Sequence, residues 1–164
     1  MSEPAPRELP IAAGDVAPAF DLTAVDTGGG QLQVRMPEAA EDGPVLLIFY
    51  QDDGMPICTR ELTAIALDHE LLAGAGVRVF GINTNGLGSH GKFQERDHFP
   101  FPLISDFHGE AVKAYGFWDA EERKSRRALV LVGQGGVVRH VVPHFNPGNV
   151  NGKVEIFEAL GLLS

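Results

Sequence analysis

The chain has a single cysteine, Cys58, and its setting can do chemistry. Residues 50–62 read YQDDGMPICTREL, between an apolar run and a stretch of helical spacing. The pattern predicts a strand over residues 45–50, a loop over 51–57 and a helix from about 58 to 73. The thiol then opens a helix at the carboxyl end of a buried strand, where α/β sheets bind ligands. A helix N-terminus offers free N–H groups and partial positive charge. Both favour thiolate over thiol, which lowers a cysteine pKa and makes a nucleophile. The competing reading is an inert core cysteine, since free cysteines are among the most buried residues. A strand interior would suit that reading better than this polar junction does.

Other candidates are weaker. Residues 86–91, GLGSHG, fit the dinucleotide pattern G-x-G-x-x-G, and Asp106 lies twenty residues beyond Gly86. The helix after it is short and polar before Pro100, and too little chain follows Asp106 for the rest of such a fold. A flexible glycine loop is the better expectation. His140 and His144 are four apart, with Pro143 between them and no cysteine or carboxylate cluster of metal spacing beside them. No metal site and no organic cofactor is implied. One cysteine precludes an internal disulfide. It also precludes a C-x-x-C exchanger, because Thr59, Arg60 and Glu61 follow Cys58.

The elements that must position Cys58 follow from periodicity. Residues 19–25 and 31–34 alternate in polarity around a glycine turn and read as a hairpin. The run 45–50 (VLLIFY) is apolar throughout, the mark of a parallel strand buried on both faces. With the helix and a strand at 77–82 it makes one βαβ unit. Short helices are expected at 89–99 and 108–115, a brief strand at 103–106, a hairpin of 127–132 with 137–142, and a closing helix at 150–163. Residues 1–13 read as a flexible, proline-bearing tail and 14–164 as one domain. Length agrees, at about 150 residues per domain. The net charge of −9 argues against a sequence-independent nucleic-acid grip and against anionic membranes. No leader or spanning segment is visible, so a cytoplasmic protein is expected.

The segment around Cys58 resembles the active site of peroxiredoxins, especially the bacterioferritin comigratory protein-like and one-cysteine bacterial branches. The shared residues are Phe49, Tyr50, Cys58, Thr59 and Glu61. Residues 14–22 (GDVAPAFDL) are similar to the family's opening, and Ser89, His90 and Phe93 to its next helix. Residues 101–106 (FPLISD), Gly109, Tyr115 and Gly116 follow in order. The resemblance implies a thioredoxin-like α/β fold, a central mixed sheet flanked by helices. It also implies thiol-dependent reduction of hydrogen peroxide or organic hydroperoxides. Cys58 would be the nucleophile and become a sulfenic acid. Arg127, favoured over Arg126 by motif register, would stabilise the thiolate and bind peroxide oxygen. Backbone N–H groups of Ile57 and Cys58 would hold the oxygens. The resolving thiol must come from outside: a small thiol, a thioredoxin-type protein or another copy. The family also includes homodimers, in which aromatics such as Tyr115 and Trp118 can border the contact.

Two positions depart from the family pattern. Gln51 replaces a proline, and Met55 replaces a threonine whose hydroxyl orients thiol and peroxide. A thioether is only a weak acceptor. Asp52, Asp53 and Glu61, the last expected in the first helical turn, would raise the thiol pKa. A slowed peroxidase is one expectation. A redox-silent, sensing or binding protein on the same fold is the alternative, and Met55 is what keeps it open.

Overall fold

A computed structural model describes residues 7–162. Nine strands and five helices run in the order β1 (Phe20–Val25), β2 (Gln31–Met36), β3 (Val45–Phe49), α1 (Pro56–Ala66), α2 (His69–Gly74), β4 (Arg78–Asn83), α3 (Leu87–Asp97), β5 (Leu103–Ser105), α4 (Glu110–Tyr115), β6 (Trp118–Asp119), β7 (Lys124–Ser125), β8 (Ala128–Val132), β9 (Val138–Val142) and α5 (Asn151–Ala159). Seven strands form one mixed sheet, β2-β1-β5-β4-β3-β8-β9. β4 lies parallel to β3 and to β5; the other pairs are antiparallel.

β3 is the spine of the sheet. All five of its residues are buried, as its unbroken apolar run requires. Successive side chains alternate across the sheet. Val45, Leu47 and Phe49 join the core under α4, with Val112, Tyr115 and Phe117. Leu46, Ile48 and the following Tyr50 join the opposite core, under α1, α3 and α5, with Cys58, Leu62, Phe93 and Ile156. The sheet thus separates two apolar layers, and Cys58 belongs to the larger helical side.

Three expectations change. The helix foreseen from 58 to 73 is two helices. Asp68 leaves helical geometry (φ −107°, ψ 12°) and its carboxylate turns to Lys153 of α5 at 2.8 Å. The glycine loop foreseen at 86–91 is instead the start of α3, with Gly86 as its cap. The supposed tail is docked where it is described; residues 1–6 lie outside the described residues. Arg7 N–H donates to the Lys113 carbonyl, Ile11 N–H donates to the Tyr115 carbonyl, and Ile11 is buried. Period-two and period-3.6 patterns cannot reveal this, because the segment makes no regular element.

Gly116 makes that docking fit. Its φ is +87°, and a Cβ there would lie 2.6 Å from the Leu9 carbonyl oxygen and 2.7 Å from the Pro10 Cα. Gly116→Ala is therefore expected to cost about 1–3 kcal/mol in denaturant unfolding and to speed proteolysis within residues 7–13. Unchanged stability and unchanged cleavage would show that the segment does not depend on this contact.

Candidate active site

The end of β3 delivers the chain to a tight loop and then to α1. Pro56 sits at the first helical position, where its missing N–H costs nothing. Cys58 is the third helical residue and has no exposed surface. The first helical hydrogen bond runs from Thr59 N–H to the Met55 carbonyl, 2.8 Å. The N–H groups of Ile57 and Cys58 precede it, among the donors that a helix leaves free. Ile57 itself is half-buried and packs on the same core as the cysteine. Met55 packs there too, its Sδ 3.9 Å from the Cys58 Sγ.

Arg127 reaches the same place from β8. Phe49 pairs with Ala128, so the residue before Ala128 faces the chain just after β3. Strand alternation then assigns Arg127 to the Cys58 side, with Leu129 and Leu131, and Arg126 to the other. The Arg127 guanidinium donates through Nη1 to the Gln51 side-chain oxygen at 3.0 Å. Its Nε is buried with no hydrogen-bond partner. Gln51 and Arg127 also line an open cavity of about 230 Å³ with Asp119, Arg126, His144 and Phe145.

Electrostatics departs from the sequence reading. Burial pushes the Cys58 thiol above its usual pKa, against backbone donors at Asp52 and Gln51 and the charge of Arg127. A helix N-terminus alone would lower it, but desolvation of a fully buried sulfur outweighs that effect. Glu61 lies in the second turn of α1, not the first; it is wholly buried, and neither carboxyl oxygen has a hydrogen-bond partner. Burial drives its pKa well up, with Arg127 pulling the other way. Glu61 therefore opposes the thiolate only once it ionises.

The loop acids are compensated. Asp52 takes a hydrogen bond from Lys124 Nζ at 2.5 Å, and this contact raises the Lys124 pKa. Asp53 accepts from the Tyr50 hydroxyl (2.7 Å), the Ser89 hydroxyl (2.7 Å) and the Asn83 amide (3.3 Å). His90 Nδ1 meets its Oδ2 at 2.6 Å, while Nε2 faces the Ile104 carbonyl at 2.9 Å. Both ring nitrogens of His90 are therefore engaged. Burial raises the Asp53 pKa, but the hydrogen bond and charge of His90, with Tyr50 and Ser89, bring it below its usual value. This network ties the loop to α3.

Sequence reasoning located Cys58, Met55, Ile57 and Arg127, and the fold gathers all four. It missed Gln51 as the partner of Arg127, Lys124 as the partner of Asp52, and His90 as the anchor of Asp53. The Lys124 signal was hidden in a two-residue hairpin, β6 with β7, too short for periodicity. Among the described residues no cluster of three or more His, Cys, Asp or Glu could hold a metal ion.

The AhpC/TSA family model matches residues 13–141. The chain belongs to this family. Curated relatives of this AhpC/TSA protein include "Peroxiredoxin Bcp" of Escherichia coli (strain K12), 28% identical over 146 residues, covering 85% of this chain and 90% of that protein. Another is "Peroxiredoxin Q, chloroplastic" of Oryza sativa subsp. japonica, 28% identical over 132 residues, 80% of this chain and 58% of the relative. Mycobacterium tuberculosis "Peroxidoxin BcpB" superposes with a TM-score of 0.79 at 23% identity, covering 94% of this chain and 99% of that one. Plasmodium vivax 2-Cys peroxiredoxin, reduced, gives 0.81 at 23% identity, covering 93% and 81%. These structures bear out the thioredoxin-like α/β fold. The curated relatives place this AhpC/TSA chain among peroxiredoxins of the bacterioferritin comigratory protein type.

Glu61 yields a stability prediction. Its folded pKa is raised, so its stabilising contribution is complete below the unfolded value and is lost as pH rises towards the folded one. The loss is about 1.4 kcal/mol per pH unit over which only the folded chain keeps the proton. Glu61→Gln should flatten this slope and gain stability over wild type as pH rises from 4 to 8. Parallel stability curves in urea titrations across that range would contradict the raised pKa of Glu61.

Proposed function

We propose that this chain is a peroxiredoxin-type thiol peroxidase that reduces hydrogen peroxide or organic hydroperoxides through Cys58 alone. The observation that carries the reading is the convergence on one sulfur. Cys58 lies in the first turn of α1, beside the free N–H groups of that turn, and Arg127 arrives on the same sheet face. Peroxiredoxin is also the name of its curated relatives.

The chemistry follows from those groups. The Cys58 thiolate attacks one peroxide oxygen, the O–O bond breaks, and water or an alcohol leaves while Cys58 becomes a sulfenic acid. Arg127 and the N–H groups of Ile57 and Cys58 stabilise charge on the oxygens. The sequence holds no second cysteine, so an external thiol, small or protein-borne, returns Cys58 to the reduced state. Met55 stands in the pocket without a hydroxyl. One lost hydrogen bond of this kind is worth about 1–3 kcal/mol.

Full burial of the sulfur, which raises its pKa, also favours a second reading: a redox-silent protein on the same fold. Turnover separates the two. With a dithiol as reductant, peroxide consumption should vanish in Cys58→Ser and fall about ten- to hundredfold in Arg127→Gln. Met55→Thr should raise it by about one to two decades. The rate should climb with pH through the usual thiol range, because the raised pKa leaves the thiolate scarce at neutrality; Arg127→Gln should move the plateau higher still. Turnover that survives Cys58→Ser would overturn the proposal. No turnover in either wild type or Met55→Thr would establish the redox-silent reading.

A further inference from the structure

The two sulfurs of the site are in contact. Cys58 Sγ and Met55 Sδ lie 3.9 Å apart in one apolar cluster. Met55 is held there by its own backbone: its carbonyl accepts both the Thr59 N–H (2.8 Å) and the Thr59 hydroxyl (3.1 Å). Cys58 is wholly buried, whereas Met55 is only half-buried. A reductant of any bulk reaches the rim at Met55 before it reaches a sulfenic acid on Cys58. The chain itself has no other thiol to offer.

We propose that Met55 is an internal oxygen acceptor for oxidised Cys58, converted to methionine sulfoxide when no external thiol is at hand. The inference rests on the peroxidatic role of Cys58. After peroxide has made the sulfenic acid, a lone pair of the Met55 Sδ attacks Sγ. The Sγ–O bond breaks and hydroxide leaves, giving a Cys58–Met55 thiosulfonium. Water then adds to Sδ; the Sδ–O bond forms and the Sγ–Sδ bond breaks, expelling the Cys58 thiolate. Of the two protons released, one neutralises the hydroxide and one restores the thiol. The net change is sulfenic acid plus thioether to thiol plus sulfoxide. Sγ is reduced by two electrons and Sδ is oxidised by two. Cys58 is thereby spared irreversible oxidation to the sulfinic acid, and the damage moves to a group that sulfoxide reductases restore.

The test uses the full chain with one equivalent of hydrogen peroxide and no reductant, followed by peptide mapping in a mass spectrometer. The expected result is one oxygen on Met55 and free Cys58 thiol in the wild type. In Cys58→Ser, Met55 should stay unoxidised over the same time. In Met55→Leu, which keeps the volume but removes the acceptor, the oxygen should remain on Cys58 and advance to sulfinic acid with a second equivalent. Oxygen retained on Cys58 of the wild type, with Met55 intact, would overturn the inference and leave the peroxidase reading standing. Equal oxidation of Met55 in wild type and Cys58→Ser would overturn it as well, since peroxide would then act on the thioether directly. If neither sulfur reacts, the peroxidase reading fails and the inference with it.

Discussion

The pairing of β3 with β8, Phe49 opposite Ala128, holds the site together. It joins two segments 79 positions apart and decides which arginine can act on the cysteine. Side chains alternate along a strand, so a one-residue slip would send Arg127 to the face of Phe117 and Tyr115 and bring Arg126 over in its place. The register is secured by burial. Every residue of both strands is buried, each fully buried aliphatic side chain contributing about 1.5–3 kcal/mol, and a slip would exchange the two core layers.

Around that fixed point both acids of the loop find partners. Asp52 answers Lys124, and Asp53 answers His90. The loop acids foreseen as a burden on the thiolate are spent on fastening the loop. What remains near the sulfur is the Arg127 cation and a Glu61 carboxyl whose pKa burial drives well up. Gln51 adds a side-chain oxygen for the guanidinium and a backbone donor for the sulfur. Proline at that position has neither. The two departures from the family pattern thus both meet the Cys58 sulfur, one supplying polar contacts while the other removes a hydroxyl.

The seven-stranded sheet was legible because its strands are apolar or cleanly alternating, and the β3–α1–β4 unit followed from order alone. Cys58 and Arg127 were legible from types and spacing within a family resemblance. The break at Asp68 was not, and its ion-pair partner Lys153 lies 85 residues away. His90 fitted the family's helix pattern, but its contact with Asp53 did not show, because Asp53 is supplied by another loop. The largest cause of the raised thiol pKa was hidden: sequence shows the helix start and the nearby acids but not the complete burial of the sulfur. Local pattern reveals elements; long-range pairs and solvation appear only when the elements are packed.

On the proposed function, this geometry makes the buried Cys58 thiol a peroxide-specific nucleophile. The most direct measurement is the second-order rate constant for loss of the Cys58 thiol on mixing with hydrogen peroxide in a single turnover. It should be set against a free cysteine derivative at equal thiolate fraction. Cys58 should react faster by several orders of magnitude, with no matching gain towards a simple alkylating agent. Equal rates towards peroxide would contradict it, leaving the fold of a peroxiredoxin without its chemistry.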